Sequence, residues 1–442
     1  MSDREPFGAE WLAAQRWFRS KGRPVAAVAE ADRAPIGERA ALRILEVAYV
    51  DGGAPDRYLA LSVGDREPVD GEGAWAELVR LVADDAEVRG ATGRFVAAPT
   101  AALAELLPSA HEVAPALEER RLRVEQSNTS VVLGDRLILK LFRLLEAGLN
   151  PDLEVGTFLT EVGFADTPPM AGGMTWHSDA GELAAAAMLQ ALVPTRGDAW
   201  TAMLEHLAHD PAAATEQAAE IGRLTASLHR ALASRPEEPD FPVRPASVEE
   251  AAAWRGSAER QLAQAVTAVS GEAHDRLVAL APAITARFAD TFGSASGSAT
   301  VSRIHGDYHL GQILARTDGG FSVIDFEGEP ARHLAERRAP SSPLRDVAGL
   351  LRSLDYAART AERDAGLDAD GWLPEARGAF LEAYGGIGAG QWGLLDAFEL
   401  EKACYEVRYE ANNRPDWRWL PLAAVERIAA GRDARRYHRG FR

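Results

Sequence analysis

The sequence predicts an α+β fold in which a β-rich N-terminal part precedes a mainly helical C-terminal part. Its length, 442 residues, favours two or three packed lobes over a single core. Short apolar segments with strand character, separated by turn residues, dominate up to about residue 193. Beyond that point, apolar residues recur at helical spacing over long segments, which indicates packed helices.

Residues 1–115 are predicted to form a separate N-terminal module. Strands are expected at residues 42–50 and 58–63, joined by the turn-forming Asp51-Gly52-Gly53. Residues 74–82 carry the apolar spacing of a helix. Because this part of the sequence has no cluster of chemically reactive side chains, we expect a packing or regulatory role for it.

Residues 116–195 are predicted to form a second, β-rich subdomain. A helix should begin at Asn150-Pro151 and end near residue 162, since Asn is a good N-cap and Pro suits the first turn. Pro194-Thr195-Arg196-Gly197 should end the last strand. The expected strands lie at residues 122–125, 131–133, 137–142 and 183–192.

Residues 196–442 are predicted to form a largely helical lobe. Apolar residues three and four positions apart mark five helices. These helices are expected at residues 216–232, 248–269, 273–288, 344–354 and 392–411.

Composition and charge exclude several classes of partner and site. A net charge of −18 argues against nucleic acid or an anionic membrane as the main partner. The single cysteine, Cys404, excludes an intramolecular disulfide and a cysteine-based metal cluster. The first residues lack the pattern of a secretory signal, and the apolar run at 183–193 is too short to span a bilayer. We therefore expect a soluble, cytoplasmic protein.

One stretch carries a pattern suited to phosphoryl transfer. His305-Gly306-Asp307 forms a tight loop, Gln312 follows five residues after the aspartate, and Asp325 ends the apolar strand 321–324. Asp307 can orient and deprotonate an acceptor hydroxyl, while an amide oxygen and a carboxylate suit Mg²⁺. The spacing parallels the catalytic loop and metal-binding aspartate of protein kinases. The alternative is a surface turn followed by an edge strand.

A β-rich nucleotide-binding part should then precede this loop. Lys140 lies inside an apolar strand, where a lysine is stable if its ammonium contacts phosphates and a carboxylate, with Glu154 as the candidate partner. The alternative is an outward-facing lysine. The predicted hairpin turn Ser127-Asn128-Thr129-Ser130 can bring backbone N–H groups to phosphates. Residues 188–193, with Gln190 and Leu192, are the candidate hinge that binds adenine through backbone groups.

These motifs belong to a set of sequence blocks that extends from near the N-terminus to about residue 420. Together the blocks resemble the aminoglycoside-phosphotransferase-like kinases, two-lobed relatives of protein kinases, and most closely the actinobacterial maltokinases and the related glucosamine kinases. The blocks are Gln15-Arg16-Trp17-Phe18, Glu125-Gln126-Ser127-Asn128-Thr129-Ser130, Leu139-Lys140-Leu141-Phe142-Arg143, Asn150-Pro151-Asp152, His305-Gly306-Asp307 with His309-Leu310-Gly311-Gln312, Asp325-Phe326-Glu327-Gly328-Glu329-Pro330, Pro343-Leu344-Arg345-Asp346-Val347-Ala348, Tyr405-Glu406-Val407-Arg408-Tyr409-Glu410-Ala411 and Asn413-Arg414-Pro415-Asp416-Trp417.

The resemblance implies a two-lobed protein-kinase-like fold with three parts. Residues 1–115 would be an N-terminal cap, 116–195 a β-rich intermediate nucleotide-binding subdomain, and 196–442 a helical lobe with the catalytic loop and sugar site. ATP would bind in the cleft between the lobes. Matching positions imply Asp307 as catalytic base, Gln312 and Asp325 on Mg²⁺, and Lys140 on the ATP phosphates.

The acceptor sugar is expected to contact residues 400–419. Glu406 and Glu410 are four apart and share one helix face, so their carboxylates suit sugar hydroxyls or an ammonium group. Trp417 can stack on the apolar face of a sugar. His305 and Asp198 are further candidates for substrate contact.

Two sugars and one non-enzymatic function remain open from the sequence. An acid-lined site favours glucosamine, phosphorylated at position 6, over maltose, phosphorylated at position 1. The segment Arg196-Gly197-Asp198-Ala199-Trp200 and residues 30–115 depart from the maltokinase pattern. A catalytically inactive scaffold is the third interpretation, and the intact Asp307, Gln312 and Lys140 argue against it.

Overall fold

The computed structural model describes residues 6–108, 117–122, 127–330 and 332–431. The chain divides into two compact units, Met1–Val193 and Pro194–Arg442. Among the described helices, none combines the length and the hydropathy that a membrane crossing requires.

The first unit begins with a three-stranded antiparallel sheet. After the short helix α1 (Ala9–Ala13), the strands β1 (Val25–Ile36), β2 (Ala40–Tyr49) and β3 (Asp56–Val63) pair in the order β1-β2-β3. The predicted strands at 42–50 and 58–63 are confirmed, whereas β1 was not predicted.

A seven-stranded sheet makes up the rest of the first unit, in the order β4-β5-β9-β10-β8-β7-β6. Its strands β4 and β5 come from the segment assigned to the N-terminal module, so a boundary at residue 115 runs through one sheet. The unit boundary, at 193/194, falls close to the expected end of the nucleotide-binding subdomain. The elements are α2 (Ala74–Ala83), β4 (Glu87–Arg89), β5 (Gly93–Pro99), α3 (Ala102–Leu106), β6 (Glu119–Arg121), β7 (Asn128–Leu133), β8 (Leu137–Phe142), α4 (Pro151–Glu161), β9 (Met170–Ser178) and β10 (Leu183–Ala191).

The helix α4 begins where the sequence predicts. The Asn150 side chain accepts a hydrogen bond of 2.8 Å from the Asp152 amide, and Pro151 occupies the first turn. Of the strand predicted at 122–125, only Leu122 is described, and it directly follows β6, which ends at Arg121. Residues 123–126 lie outside the described part of the chain.

The second unit is mainly helical, with small sheets β11-β14-β15 and β12-β13. All five predicted helices are confirmed, and the one expected at 344–354 is longer because it continues to Ala365 before Gly366 ends it with φ 71°. The helix Trp392–Asn413 packs against the helices Val248–Ala268 and Leu344–Ala365. The elements are β11 (Thr195–Asp198), α5 (Ala199–His209), α6 (Pro211–Leu232), β12 (Arg244–Pro245), α7 (Val248–Ala268), α8 (Glu272–Gly293), β13 (Thr300–Val301), β14 (Ile313–Arg316), β15 (Phe321–Val323), α9 (Leu334–Arg338), α10 (Leu344–Ala365), α11 (Ala369–Tyr384), α12 (Trp392–Asn413) and α13 (Trp419–Ala429).

Candidate active site

The His305-Gly306-Asp307 loop is fixed by its own histidine. The His305 ring is buried, and its Nε2–H donates to the carbonyl oxygen of Ile324 at 3.0 Å. Its Nδ1 therefore carries a lone pair, which accepts the Asp307 amide at 3.4 Å. Gly306 has φ 89°, a conformation that favours glycine. The buried, internally bonded ring of His305 therefore positions the loop, and its contact with a substrate stays a prediction.

A buried carboxylate beneath the loop was missed by the sequence analysis. Asp346, on α10, accepts the amides of His305 at 2.8 Å and Gly306 at 2.9 Å, and the His229 ring lies 3.1 Å away. Burial alone would raise the pKa of Asp346, yet the hydrogen bond from His229 and the neighbouring groups lower it below its ordinary value. Asp346 thus remains ionised and holds two consecutive backbone amides of the catalytic loop.

A glycine on the same helix lets the loop approach closely. A Cβ on Gly349 of α10 would lie 2.6 Å from the Tyr308 carbonyl oxygen, which is too close for any side chain. The Tyr308 side chain is buried, and its hydroxyl is hydrogen-bonded to the Thr225 hydroxyl at 3.2 Å. The backbone on both sides of Asp307 is therefore packed directly against α10.

Gln312 and Asp325, the predicted metal ligands, are brought together. Gln312 ends the 3₁₀ turn Leu310–Gln312, and its Nε2 lies 3.0 Å from Asp325 Oδ2. Asp325 follows β15 with φ 66°, a left-handed conformation that costs a non-glycine residue about 1–3 kcal/mol. A glutamine amide oxygen and a carboxylate are hard oxygen donors of the kind that a divalent cation prefers, so the two neighbouring side chains fit such an ion.

The Asp307 carboxylate is bound by a lysine that the sequence analysis did not name. Lys402 Nζ, on α12, lies 3.0 Å from Asp307 Oδ1 and 3.1 Å from Glu329 Oε1. Burial would lower the pKa of Lys402, but the two carboxylates raise it well above its ordinary value. Burial would likewise raise the pKa of Glu329, but Lys402 and Arg332 lower it to about 2. Lys402 and Glu329 are therefore both charged at neutral pH.

The rarity of lysine in this sequence could have identified Lys402 as a candidate functional residue. Only three of the 48 basic residues are lysines: Lys21, Lys140 and Lys402. In a chain that uses arginine almost everywhere, a lysine marks a position where a compact ammonium is needed. Two of the three lie in the segments with candidate function.

A small polar recess adjoins Asp307. The space left in it, about 20 Å³, is enough for one water molecule. Glu329 binds Arg332 at 2.6 Å, and Glu401 binds Arg345 at 3.0 Å. The charged residues of its lining are Asp307, Glu329, Asp346 and Glu401 against Arg332, Arg345 and Lys402.

The two glutamates predicted to hold the sugar are each already paired with an arginine. Glu406 accepts from Arg352 at 2.9 and 2.7 Å, and burial raises the pKa of Glu406 although Arg352 opposes the shift. Glu410 accepts from Arg414 at 2.9 Å and from the Tyr356 hydroxyl at 3.2 Å. Neighbouring side chains thus already neutralise both carboxylates, and contact of Glu406 and Glu410 with the acceptor sugar stays a prediction.

Trp417 stacks on an arginine. Trp417 ends the short 3₁₀ turn Pro415–Trp417. The Arg363 guanidinium lies 4.1 Å from the centre of the Trp417 ring. The guanidinium covers part of the aromatic surface that the sequence analysis assigned to a sugar. Contact between Trp417 and the acceptor stays a prediction.

In the first unit, Lys140 forms its ion pair with a different acid from the one predicted. Lys140 Nζ lies 2.9 Å from Asp152 Oδ2, and both side chains are largely buried. Glu154 is two residues further along α4, about 200° around the helix, where its side chain points in another direction. The sequence thus predicted that Lys140 would pair with a carboxylate. The position of Asp152 around the helix makes it the partner in the structure.

The predicted hairpin turn at 127–130 is mostly strand. Asn128, Thr129 and Ser130 begin β7 and are buried, and only Ser127 lies before the strand. Thr129 Oγ1 accepts from Arg143 Nε at 2.8 Å, so its hydroxyl is held within the unit. Residues 123–126, which precede Ser127, lie outside the described residues.

The remaining candidates have backbone or capping roles. Gln190 pairs with Ile138 in the seven-stranded sheet, and the Leu192 amide donates to the Arg136 carbonyl at 2.7 Å. A hinge contact through the Leu192 N–H would need that bond to be exchanged. Asp198 is the N-cap of α5, because its carboxylate accepts the Thr201 amide at 2.8 Å. Contact of Asp198 with a substrate stays a prediction.

Comparison with known proteins gives matches over most of the chain. Residues 118–382 match the family described as the phosphotransferase enzyme family, and residues 11–90 match the maltokinase N-terminal cap domain. The chain is 31% identical over 384 residues to a glucosamine kinase of Streptacidiphilus jiangxiensis, covering 81% of each chain. It is 29% identical over 324 residues to a glucosamine kinase of Mycolicibacterium smegmatis, covering 70% of this chain and 78% of the relative.

Solved structures agree with the sequence matches. A glucosamine kinase in complex with glucosamine, ADP and inorganic phosphate superposes with a TM-score of 0.73 at 25% identity, covering 96% of this chain and 100% of that chain. A second crystal form of a glucosamine kinase gives a TM-score of 0.75 at 25% identity, covering 95% and 99%. The two-lobed phosphotransferase fold and the N-terminal cap expected from the sequence are confirmed.

Proposed function

The chain belongs to the phosphotransferase enzyme family, and we propose that within it the protein is a glucosamine kinase that transfers the γ-phosphoryl group of ATP to the 6-hydroxyl of glucosamine. The observation that carries this proposal is the Asp307 carboxylate, bound by Lys402 on a loop that precedes the Gln312–Asp325 pair, in a chain similar over most of its length to glucosamine kinases.

Asp307 is proposed as the base that receives the proton of the acceptor hydroxyl. The hydroxyl oxygen bonds to the γ-phosphorus, the bond from that phosphorus to the bridging oxygen breaks, and ADP leaves with the electron pair. Loose transition states of this kind depend on positioning and charge more than on covalent assistance. The bonds from His305 and Asp346 to the loop backbone support this positioning.

Mg²⁺ is proposed as the metal, held by Asp325 and Gln312. When bound, the ion neutralises charge that develops on the phosphate oxygens. The Gln312 amide is placed so that rotation of its terminal group presents an oxygen instead of the nitrogen that now contacts Asp325. Asp325 would supply the hard carboxylate ligand.

ATP binding is proposed for residues of the first unit. Lys140, oriented by Asp152, offers an ammonium to the phosphates. Ser127, Asn128, Thr129 and Ser130 would act by fixing the start of β7, since their side chains are mostly buried. Gln190 and Leu192 remain the proposed adenine hinge, and a role for Glu154 in this site stays a prediction.

The choice of glucosamine rests on charge and on the relatives. The recess beside Asp307 is lined by four carboxylates and three basic groups, so an incoming ammonium would balance its charge. Both similar enzymes named above are glucosamine kinases. The recess has room for about one water molecule, so we expect side chains of its lining to move when the acceptor binds.

Maltose is the second candidate, favoured by the match of residues 11–90 to the maltokinase cap domain. The test is ADP release with ATP and Mg²⁺ over a panel of glucosamine, glucose, N-acetylglucosamine and maltose. We expect glucosamine to be turned over far faster than the others, with phosphorus NMR showing a 6-phosphate. Turnover of maltose to a 1-phosphate with glucosamine inert would establish the alternative. Absence of turnover with every sugar would favour a scaffold.

A further inference from the structure

We propose that Lys402 is a positioning residue of the transfer reaction: its ammonium holds one oxygen of Asp307 and leaves the other to the acceptor hydroxyl, while Glu329 anchors the ammonium. The proposal rests on the proposed phosphotransferase function. It does not depend on which sugar is the acceptor.

The two oxygens of the Asp307 carboxylate have different surroundings. Lys402 Nζ contacts Oδ1 at 3.0 Å. Within the described residues, no side chain donates a hydrogen bond to Oδ2. A carboxylate bound at one oxygen cannot turn freely about its Cβ–Cγ bond. The second oxygen is therefore presented in a fixed direction, which is what a base needs in order to orient an acceptor hydroxyl.

Glu329 anchors the Lys402 ammonium during the reaction. When Asp307 receives the acceptor proton it becomes neutral, and its attraction for the ammonium weakens. Glu329 Oε1 remains 3.1 Å from Lys402 Nζ and stays ionised, because Arg332 also binds it at 2.6 Å. Lys402 is thus kept charged and in place throughout a turnover, and the proton can leave Asp307 without the lysine being released.

The surroundings of residue 402 favour a lysine over an arginine. Lys402 lies in a recess with little free space, with its Nζ 4.8 Å from the centre of the Tyr405 ring. Two carboxylates and an aromatic face around one nitrogen suit a compact ammonium with three N–H donors. A guanidinium is larger and planar, and it would place its charge beyond Asp307.

The experiment compares the wild-type protein with K402A and K402M, using whichever sugar of the panel the wild type turns over. We expect both variants to lose about 100-fold in kcat, the scale of a misplaced reacting group. KM for ATP should change little. Propylammonium, which reproduces the last three carbons and the nitrogen of the lysine, should restore K402A at least about tenfold. It should not restore K402M, because the methionine side chain fills the space.

Tetramethylammonium provides the matched control, since it carries the charge without an N–H donor and should not rescue K402A. A kcat for folded K402M within about threefold of the wild type would overturn the proposal. So would a K402A variant with a normal melting temperature that propylammonium fails to restore, or that tetramethylammonium restores equally well. An inert wild type on the whole sugar panel would instead contradict the proposed function, so the two failures are distinguishable.

Discussion

Replacing Asp346 with asparagine should separate the geometry of the catalytic loop from the rest of the fold. Asp346 Oδ1 accepts the Gly306 amide, and Oδ2 accepts the His305 amide and the His229 ring. An asparagine keeps one acceptor oxygen. If that oxygen occupies the Oδ2 position, the new NH₂ group faces the Gly306 N–H, donor against donor.

The expected loss of stability follows from these contacts. One charge-assisted hydrogen bond disappears, at about 1.5–3 kcal/mol, and a buried amide is left unpaired, at about 1–3 kcal/mol. Relief from burying a charge offsets part of this, so we expect D346N to lose about 2–4 kcal/mol in free energy of unfolding. Because Gly306 precedes Asp307, kcat should also fall by about 100-fold, while affinity for ATP is unchanged.

The measurements are urea denaturation and steady-state kinetics, with E119Q as matched control. Glu119 is also a buried carboxylate that accepts backbone amides, from Gly71, Gly73, Trp75 and Ala76. Its replacement should cost comparable stability and leave kcat near the wild-type value. A D346N protein that is destabilised but turns over normally would refute the reasoning that Asp346 positions the loop.

Three further predictions follow from individual contacts. D325A should abolish Mg²⁺-dependent ATP binding in calorimetry, since the neutral Gln312 amide is a weak ligand; unchanged affinity would contradict this. E406Q should lose about 1–3 kcal/mol in urea denaturation, because two charge-assisted hydrogen bonds from buried Arg352 become bonds to a neutral amide while Asp355 still pairs with Arg352; a loss below about 0.5 kcal/mol would count against it. Burial alone would raise the pKa of Asp355, but the positive charge of Arg352 lowers it from 3.8 to about 2. The ionised Asp355 therefore adds about 2 kcal/mol to the free energy of unfolding above about pH 4, and this contribution is lost as the pH falls towards 2. A D355N protein with the same acid-induced stability loss as wild type would show that another group is responsible.

The fold could be predicted from the sequence where signals are local. Helical spacing and the Asn150 cap gave α4 and the long helices, because amphipathic period and capping act within one or two turns. The start of β7 was placed too late because Asn128 and Thr129 have turn-like composition, yet both are buried and Thr129 binds Arg143. Partners distant in sequence overrode the local preference.

The candidate site was predicted only in part, for the same reason. Asp307, Gln312 and Asp325 lie within 19 residues and have a recognisable spacing, and the structure brings Gln312 to Asp325. Lys402 lies 95 residues from Asp307, so only the fold reveals their contact. Helix spacing placed Glu406 on one face correctly, but it could not show that Arg352 from another helix would neutralise it.

The central claim, that Asp307 receives the acceptor proton in a phosphotransferase, is tested most directly by the kcat of D307N for ADP release with ATP, Mg²⁺ and the best sugar of the panel. The variant keeps the shape of the side chain and removes its basicity. We predict a fall in kcat of about 100-fold or more, with ATP affinity by calorimetry unchanged. Turnover by D307N at a rate near that of the wild type would contradict the assignment.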